Sequence, residues 1–132
     1  MLLPTVALYA GLLALIGQFL ASVVGTTRGR LKIPLGDGGK PELIVANRRH
    51  MNFVENVPIL ITLLAVIELN GAPKLWIHVM GIALVAARLV HPFGLNMDNM
   101  SSPARIFGAA VTALVTVAAA AILLWQAGST LL

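Results

Sequence analysis

Residues 48–60 read RRHMNFVENVPIL, so two arginines, a histidine and a glutamate lead directly into the apolar run PILITLLAVI at 58–67. Helices that cross a bilayer normally exclude such groups, because each costs about 2.5–3.5 kcal/mol at mid-bilayer on insertion scales. Arg48, Asn52 and Glu55 stand at i, i+4 and i+7, which places them on one face of a helix. They are tolerated there if they pair, face water or hold something.

The surrounding chain points to a membrane. Of its 132 residues, 58% are hydrophobic and only 11% charged, and mean hydropathy is +0.92. Soluble domains carry roughly a quarter charged residues. One compact globule of this size would leave much of that apolar surface in water. The chain has no cysteine, which excludes a disulfide framework, a thiolate metal site and a cysteine nucleophile. The isoelectric point near 10.4 does not argue for nucleic acid, because the basic residues cluster at the ends of apolar segments. Anionic lipid head groups or an anionic ligand suit that placement better.

Four helices are expected, at about 2–27, 41–69, 74–94 and 103–128, forming a single transmembrane domain over 1–132. Each is long enough for a hydrocarbon core of about 30 Å. The uncharged stretch before Arg28 lacks a basic n-region, so a span is expected there rather than a cleaved leader. Turn signals separate the segments: IPLGDGGKP, NGAP and NMDNMSSP. Gly36-Asp37-Gly38-Gly39 lacks the spacing and lysine of a phosphate loop and reads as a tight turn. Pro41, Pro73 and Pro103 suit helix starts, where a missing N–H is harmless.

Arg28, Arg30, Lys32, Lys40, Arg48 and Arg49 crowd the first connection and Arg105 lies by the third, whereas the other side has only Lys74. The positive-inside rule puts both basic connections in the cytoplasm and both termini outside. Trp76 and Trp125 then fall together at the outer interface as anchors. Glu68 and His78 read as solvated ends, and His50 as interfacial. No His/Asp/Glu set has metal-ligand spacing, so no metal site is expected, and the serines lack triad partners.

In the third segment Arg88 and His91 are spaced i, i+3, after thirteen residues without formal charge between Lys74 and Arg88. One reading is a structural network in which Glu55 locks the arginines. The other starts from charge: one carboxylate cannot neutralise so many guanidiniums, and the excess invites an anion from outside the chain. Pro58 and Pro92 remove helical hydrogen bonds beside these residues, so both helices can bend there.

Arg48-x3-Asn52-x2-Glu55-x2-Pro58 resembles the hallmark of the MAPEG family, the membrane-associated proteins of eicosanoid and glutathione metabolism. The string ARLVHPFG, 87–94, is similar to that family's Arg-x2-His element, and GTTRGR, 25–30, to its basic exit from the first helix. LGDGGKPEL, shortly before the second-helix motif, looks like the small bacterial inner-membrane branch. The resemblance implies an all-α, four-helix up-down bundle assembled as a homotrimer, with glutathione bound as co-substrate between subunits near the cytoplasmic face. Arg28, Arg48, Asn52, Glu55, Arg88 and His91 would hold its carboxylates and amine. Arg105 would stabilise the thiolate, helped by Ser101 or Ser102; the alternative for Arg105 is an anchor to lipid phosphate. Arginine forks suit carboxylates and Glu55 suits an ammonium. Small residues such as Gly11, Gly108, Thr112 and Ala120 would let subunits approach closely.

The chain also departs from the family. Leu95 stands where family enzymes commonly have tyrosine, and Phe107 where another aromatic hydroxyl is expected. Two functions follow: a glutathione transferase or peroxidase acting on lipophilic electrophiles, or a non-catalytic membrane protein that binds an anionic thiol or lipid or is purely structural. With both termini outside, a reporter active only in the cytoplasm and fused after Leu132 should be inactive in cells, while one inserted at Gly38 should be active.

Overall fold

The computed structural model describes residues 2–99 and 101–131, in which four helices and no strand occur. They are α1 (Pro4–Leu31), α2 (Pro41–Leu69), α3 (Lys74–Gly94) and α4 (Pro103–Leu131). Each is long and apolar enough to cross a membrane. Proline opens α1, α2 and α4 and immediately precedes α3, as the sequence implies. The helices run alternately up and down. Among the described residues α1 and α4 do not meet, whereas α2 and α3 touch each other and both outer helices. The core lies along this central pair, with Leu60, Leu64, Ile77 and Leu84 fully buried and Leu13 of α1 beside them.

The first helix runs past the expected end at 27 to Leu31, carrying Arg28 and Arg30 in its last turn. Basic side chains favour a helix C-terminus, and Arg30 pairs with Glu42 in the first turn of α2, where a carboxylate is equally favoured. Lys32 ends the helix in the left-handed conformation at φ 55°, its N–H returning to Arg28 and Gly29 carbonyls. The GDGG stretch is indeed a turn. Gly36, Gly38 and Gly39 all have positive φ, and Asp37 Oδ1 accepts from the Gly39 N–H at 2.9 Å.

Glu68 and His78 are not solvated ends. Glu68 accepts the backbone N–H groups of Thr5 at 3.1 Å and Val6 at 2.8 Å, so α2 supplies the capping carboxylate for α1. This satisfies two donors that no intrahelical carbonyl reaches and sets a negative charge at the positive end of the dipole. One turn deeper, the Tyr9 hydroxyl and His78 Nδ1 are 2.7 Å apart. Nearby, Trp76 and Trp125 share a surface recess as expected, and Asn70 donates to Gln126 at 3.0 Å.

At the other end α3 and α4 approach so closely that a Cβ on Gly94 would collide with the Arg105 backbone nitrogen. Ser102 completes this corner. Its hydroxyl donates to the Gly94 carbonyl at 2.7 Å and accepts from the Arg105 N–H at 3.3 Å, as an N-cap does. Overpacking of this kind costs about 1–3 kcal/mol. Gly94→Ala should therefore lower the melting temperature in detergent clearly, while Gly25→Ala, with open space around it, should not. Glu68→Ala should cost about 0.5–2 kcal/mol, as loss of a cap does.

Candidate functional site

Arg88 is the focus of the polar cluster. The residue is only 2% exposed. Nη1 donates to Asn52 Oδ1 of α2 at 2.9 Å. Nη2 donates to the Gly108 carbonyl of α4 at 3.0 Å and to the Thr112 hydroxyl, which itself donates to that carbonyl at 2.7 Å. Every acceptor is neutral, and Nε has no partner among the described residues. A buried cation is thus held by dipoles from two helices, without a counter-ion among the described residues.

The expected link between Glu55 and Arg88 does not form. Glu55 instead pairs with Arg48 on its own helix, Arg48 Nη1 to Glu55 Oε1 being 3.3 Å. Both side chains are largely exposed, at 60% and 45%, on an outward stripe of α2 that also carries Met51, Val54 and Ile59. The reason is geometric: Asn52 lies half-buried at the edge of this face, turned to α3, whereas Glu55 lies on its exposed side.

His91, one turn beyond Arg88 in α3, is buried against Gly108, where any Cβ would strike its side chain. It lies in the combined field of Arg88, Arg105 and Arg48. Arg105, Gly108 and Thr112 occupy one face of α4 at i, i+3 and i+7, so this face meets the polar face of α3. Two expectations change here. Gly108 and Thr112 serve packing and hydrogen bonding inside the subunit rather than between subunits. The Ser102 hydroxyl proton is committed to Gly94, so it is not free for a thiolate.

Arg28 stands apart. It donates to the Gly36 carbonyl at 2.5 Å and to Asn47 Oδ1 at 3.4 Å, bracing the α1–α2 turn. The structure therefore gathers Arg48, Asn52, Glu55, Arg88, His91 and Arg105 about the meeting of α2, α3 and α4, and leaves Arg28 at the turn. Sequence reasoning missed Arg49, whose Nε and Nη2 both donate to the Leu95 carbonyl, at 3.2 and 2.8 Å. It also missed Thr112 as an arginine partner; its i, i+4 spacing from Gly108 was the available signal. Among the described residues there is no group of His, Asp and Glu suited to a metal.

The profile of the MAPEG family matches residues 6–125. The chain belongs to the MAPEG family. It is 42% identical over 90 residues to inner membrane protein YecN of Escherichia coli strain K12, covering 68% of this chain and 69% of that protein. The same identity and coverage relate it to inner membrane protein YecN of Escherichia coli O6:H1. No solved structure matches it. Family membership and four spans together make it a multi-pass membrane protein.

These contacts separate two arginines that look alike in sequence. Thr112→Val leaves an Arg88 donor buried without its hydroxyl acceptor, which costs about 1–3 kcal/mol. Glu55→Ala breaks only an exposed pair, worth about 1 kcal/mol or less. In detergent, thermal melts should rank Thr112→Val well below Glu55→Ala, and Glu55→Ala near the parent protein.

Proposed function

We propose that this protein is a glutathione-binding integral membrane protein of the bacterial inner membrane, a homotrimer that transfers the glutathione thiolate to lipophilic electrophiles. The observation that carries this reading is the Arg48–Glu55 pair, largely exposed along the first half of a spanning helix. Lipid is a poor neighbour for either charge. A second subunit and a polar ligand on that stripe would remove the conflict. Membership of MAPEG, and a relative named as an inner membrane protein, support the same reading.

The donor set fits a tripeptide with two carboxylates and one amine. Arg48 is a free fork for a carboxylate once Glu55 turns to an ammonium. Arg88, through Asn52, positions the inner wall and adds uncompensated positive charge; Arg28 would act from the turn, towards a neighbouring copy. With no cysteine in this chain, the bound ligand supplies the sulfur nucleophile. Arg105 holds the negative charge on sulfur: a nearby cation favours thiolate over thiol, and the first turn of α4 adds its dipole in the same sense. The thiol proton leaves to water, the sulfur–carbon bond forms, and the electrophile releases its leaving group, a halide in the case of an aryl halide. Leu95 and the exposed Phe107 offer no hydroxyl to assist, which favours binding without catalysis as the second reading.

Purified protein should run as a trimer in native mass spectrometry and bind glutathione in calorimetry. It should also conjugate glutathione to 1-chloro-2,4-dinitrobenzene. Arg105→Leu should keep binding, shift the thiolate absorbance titration to higher pH, and lose conjugation rate. Binding without conjugation would leave the second reading, an unshifted titration would return Arg105 to lipid phosphate, and monomer alone would overturn the assembly.

A further inference from the structure

A second region of the subunit is built for an amphiphile. Between α1, α2 and α3 lies an apolar cavity of about 460 Å³, bordered by Phe19, Leu89 and Phe93 and reaching Arg49 and the buried Arg88. Leu15, Phe19 and Phe93 on its rim are 70%, 67% and 80% exposed, so it opens sideways towards lipid. Arg48 and Glu55 do not border it. A second cavity, of about 510 Å³, adjoins it at Val23, Ala46 and Arg49 and is bordered by Thr27, Glu42 and Asp98. The two form one slot whose walls gain polar side chains beyond Arg49.

The charges along this slot are ordered. Arg49 spends Nε and Nη2 on the Leu95 carbonyl, leaving Nη1 without an acceptor among the described residues. Arg88 adds an unneutralised charge behind it, with Nε unpartnered. Beyond Arg49, the Asp98 carboxylate takes part in neither ion pair of the described residues, and Glu42 is already held by Arg30. Moving outward, a ligand meets apolar walls, then a guanidinium, then a free carboxylate. Arg49 lies level with the end of α3, next to the basic connections, where head groups begin.

We propose that this slot binds one bilayer glycerophospholipid whose head carries a phosphate and a primary ammonium. One acyl chain fills the apolar cavity, whose volume falls within the range of about 300–1,000 Å³ usual for ligand sites. The phosphate takes Nη1 of Arg49 through a charge-assisted hydrogen bond, and the ammonium donates to Asp98. A head without an amine leaves Asp98 facing a phosphate nearby, and a trimethylated amine has no proton to donate. Those differences set the selectivity.

The test uses the full chain in nanodiscs without glutathione, so that it stands apart from the transferase reading. Trp76 and Trp125 lie at the other end of the bundle; replacing both by Phe and making Phe93→Trp gives a single reporter at the cavity mouth. Quenching is followed with dibrominated phosphatidylethanolamine, phosphatidylglycerol and phosphatidylcholine, each at low mole fraction. Phosphatidylethanolamine should reach half-quenching at a mole fraction at least threefold below the other two. Arg49→Gln should weaken quenching by both phosphatidylethanolamine and phosphatidylglycerol, and Asp98→Asn should abolish the advantage of phosphatidylethanolamine. Equal quenching by all three lipids, or a preference for phosphatidylglycerol, would overturn the proposal, as would a phosphatidylethanolamine advantage that survives Asp98→Asn. Because Arg49 also tethers Leu95, the Asp98 variant, on an exposed loop, decides the matter even where Arg49→Gln does not fold.

Discussion

The rest of the bundle is arranged around one constraint, a guanidinium that has left water without an anion to meet it. Arg88 is satisfied by an amide oxygen from α2 and by a carbonyl and a hydroxyl from α4. These acceptors come from α2 and α4, so the side chain ties three helices at one depth. Neutral dipoles leave the net charge in place. That residual positive charge is unusual for a buried side chain, and neutral acceptors alone hold it.

Close helix approach follows from the same requirement. For Nη2 to reach the Gly108 carbonyl, α4 must come near enough that only glycine fits beside His91. Gly94 and Ser102 repeat the arrangement one end further on, where the start of α4 rests on the end of α3. At the far end, Glu68 and the Tyr9–His78 contact hold α1 to α2 and α3. The bundle is therefore fastened by polar contacts at both ends and at the depth of Arg88. Between these layers apolar packing supplies contact but little preference for one register, since lipid tails are as apolar as leucine.

Two faces of the subunit remain unfinished. The outward stripe of α2 carries an ion pair where lipid would face it, and the α1–α3 side carries an apolar slot ending in arginine. Their chemistry differs. The first offers one guanidinium fork and one carboxylate. The second offers depth for a chain and a single guanidinium donor for a phosphate.

The four spans, their proline starts and the glycine turn were legible in the sequence because hydropathy, a fixed φ and a missing Cβ act locally. The Arg48–Glu55 pair was legible too, since seven residues make two helical turns on one face. The end of α1 was not, because a left-handed Lys32 and the Glu42 partner decide it, and neither has a local signature. Glu68 looked like a solvated end; its partners lie more than sixty residues earlier in the chain. Glu55 looked like the counter-ion of Arg88 because opposite charges attract in any reading of a sequence. Only the packing of α4 against α3 shows that a glycine carbonyl and a threonine hydroxyl take that place. Backbone carbonyls are identical in every residue, so which one meets a buried charge is settled by how the helices cross.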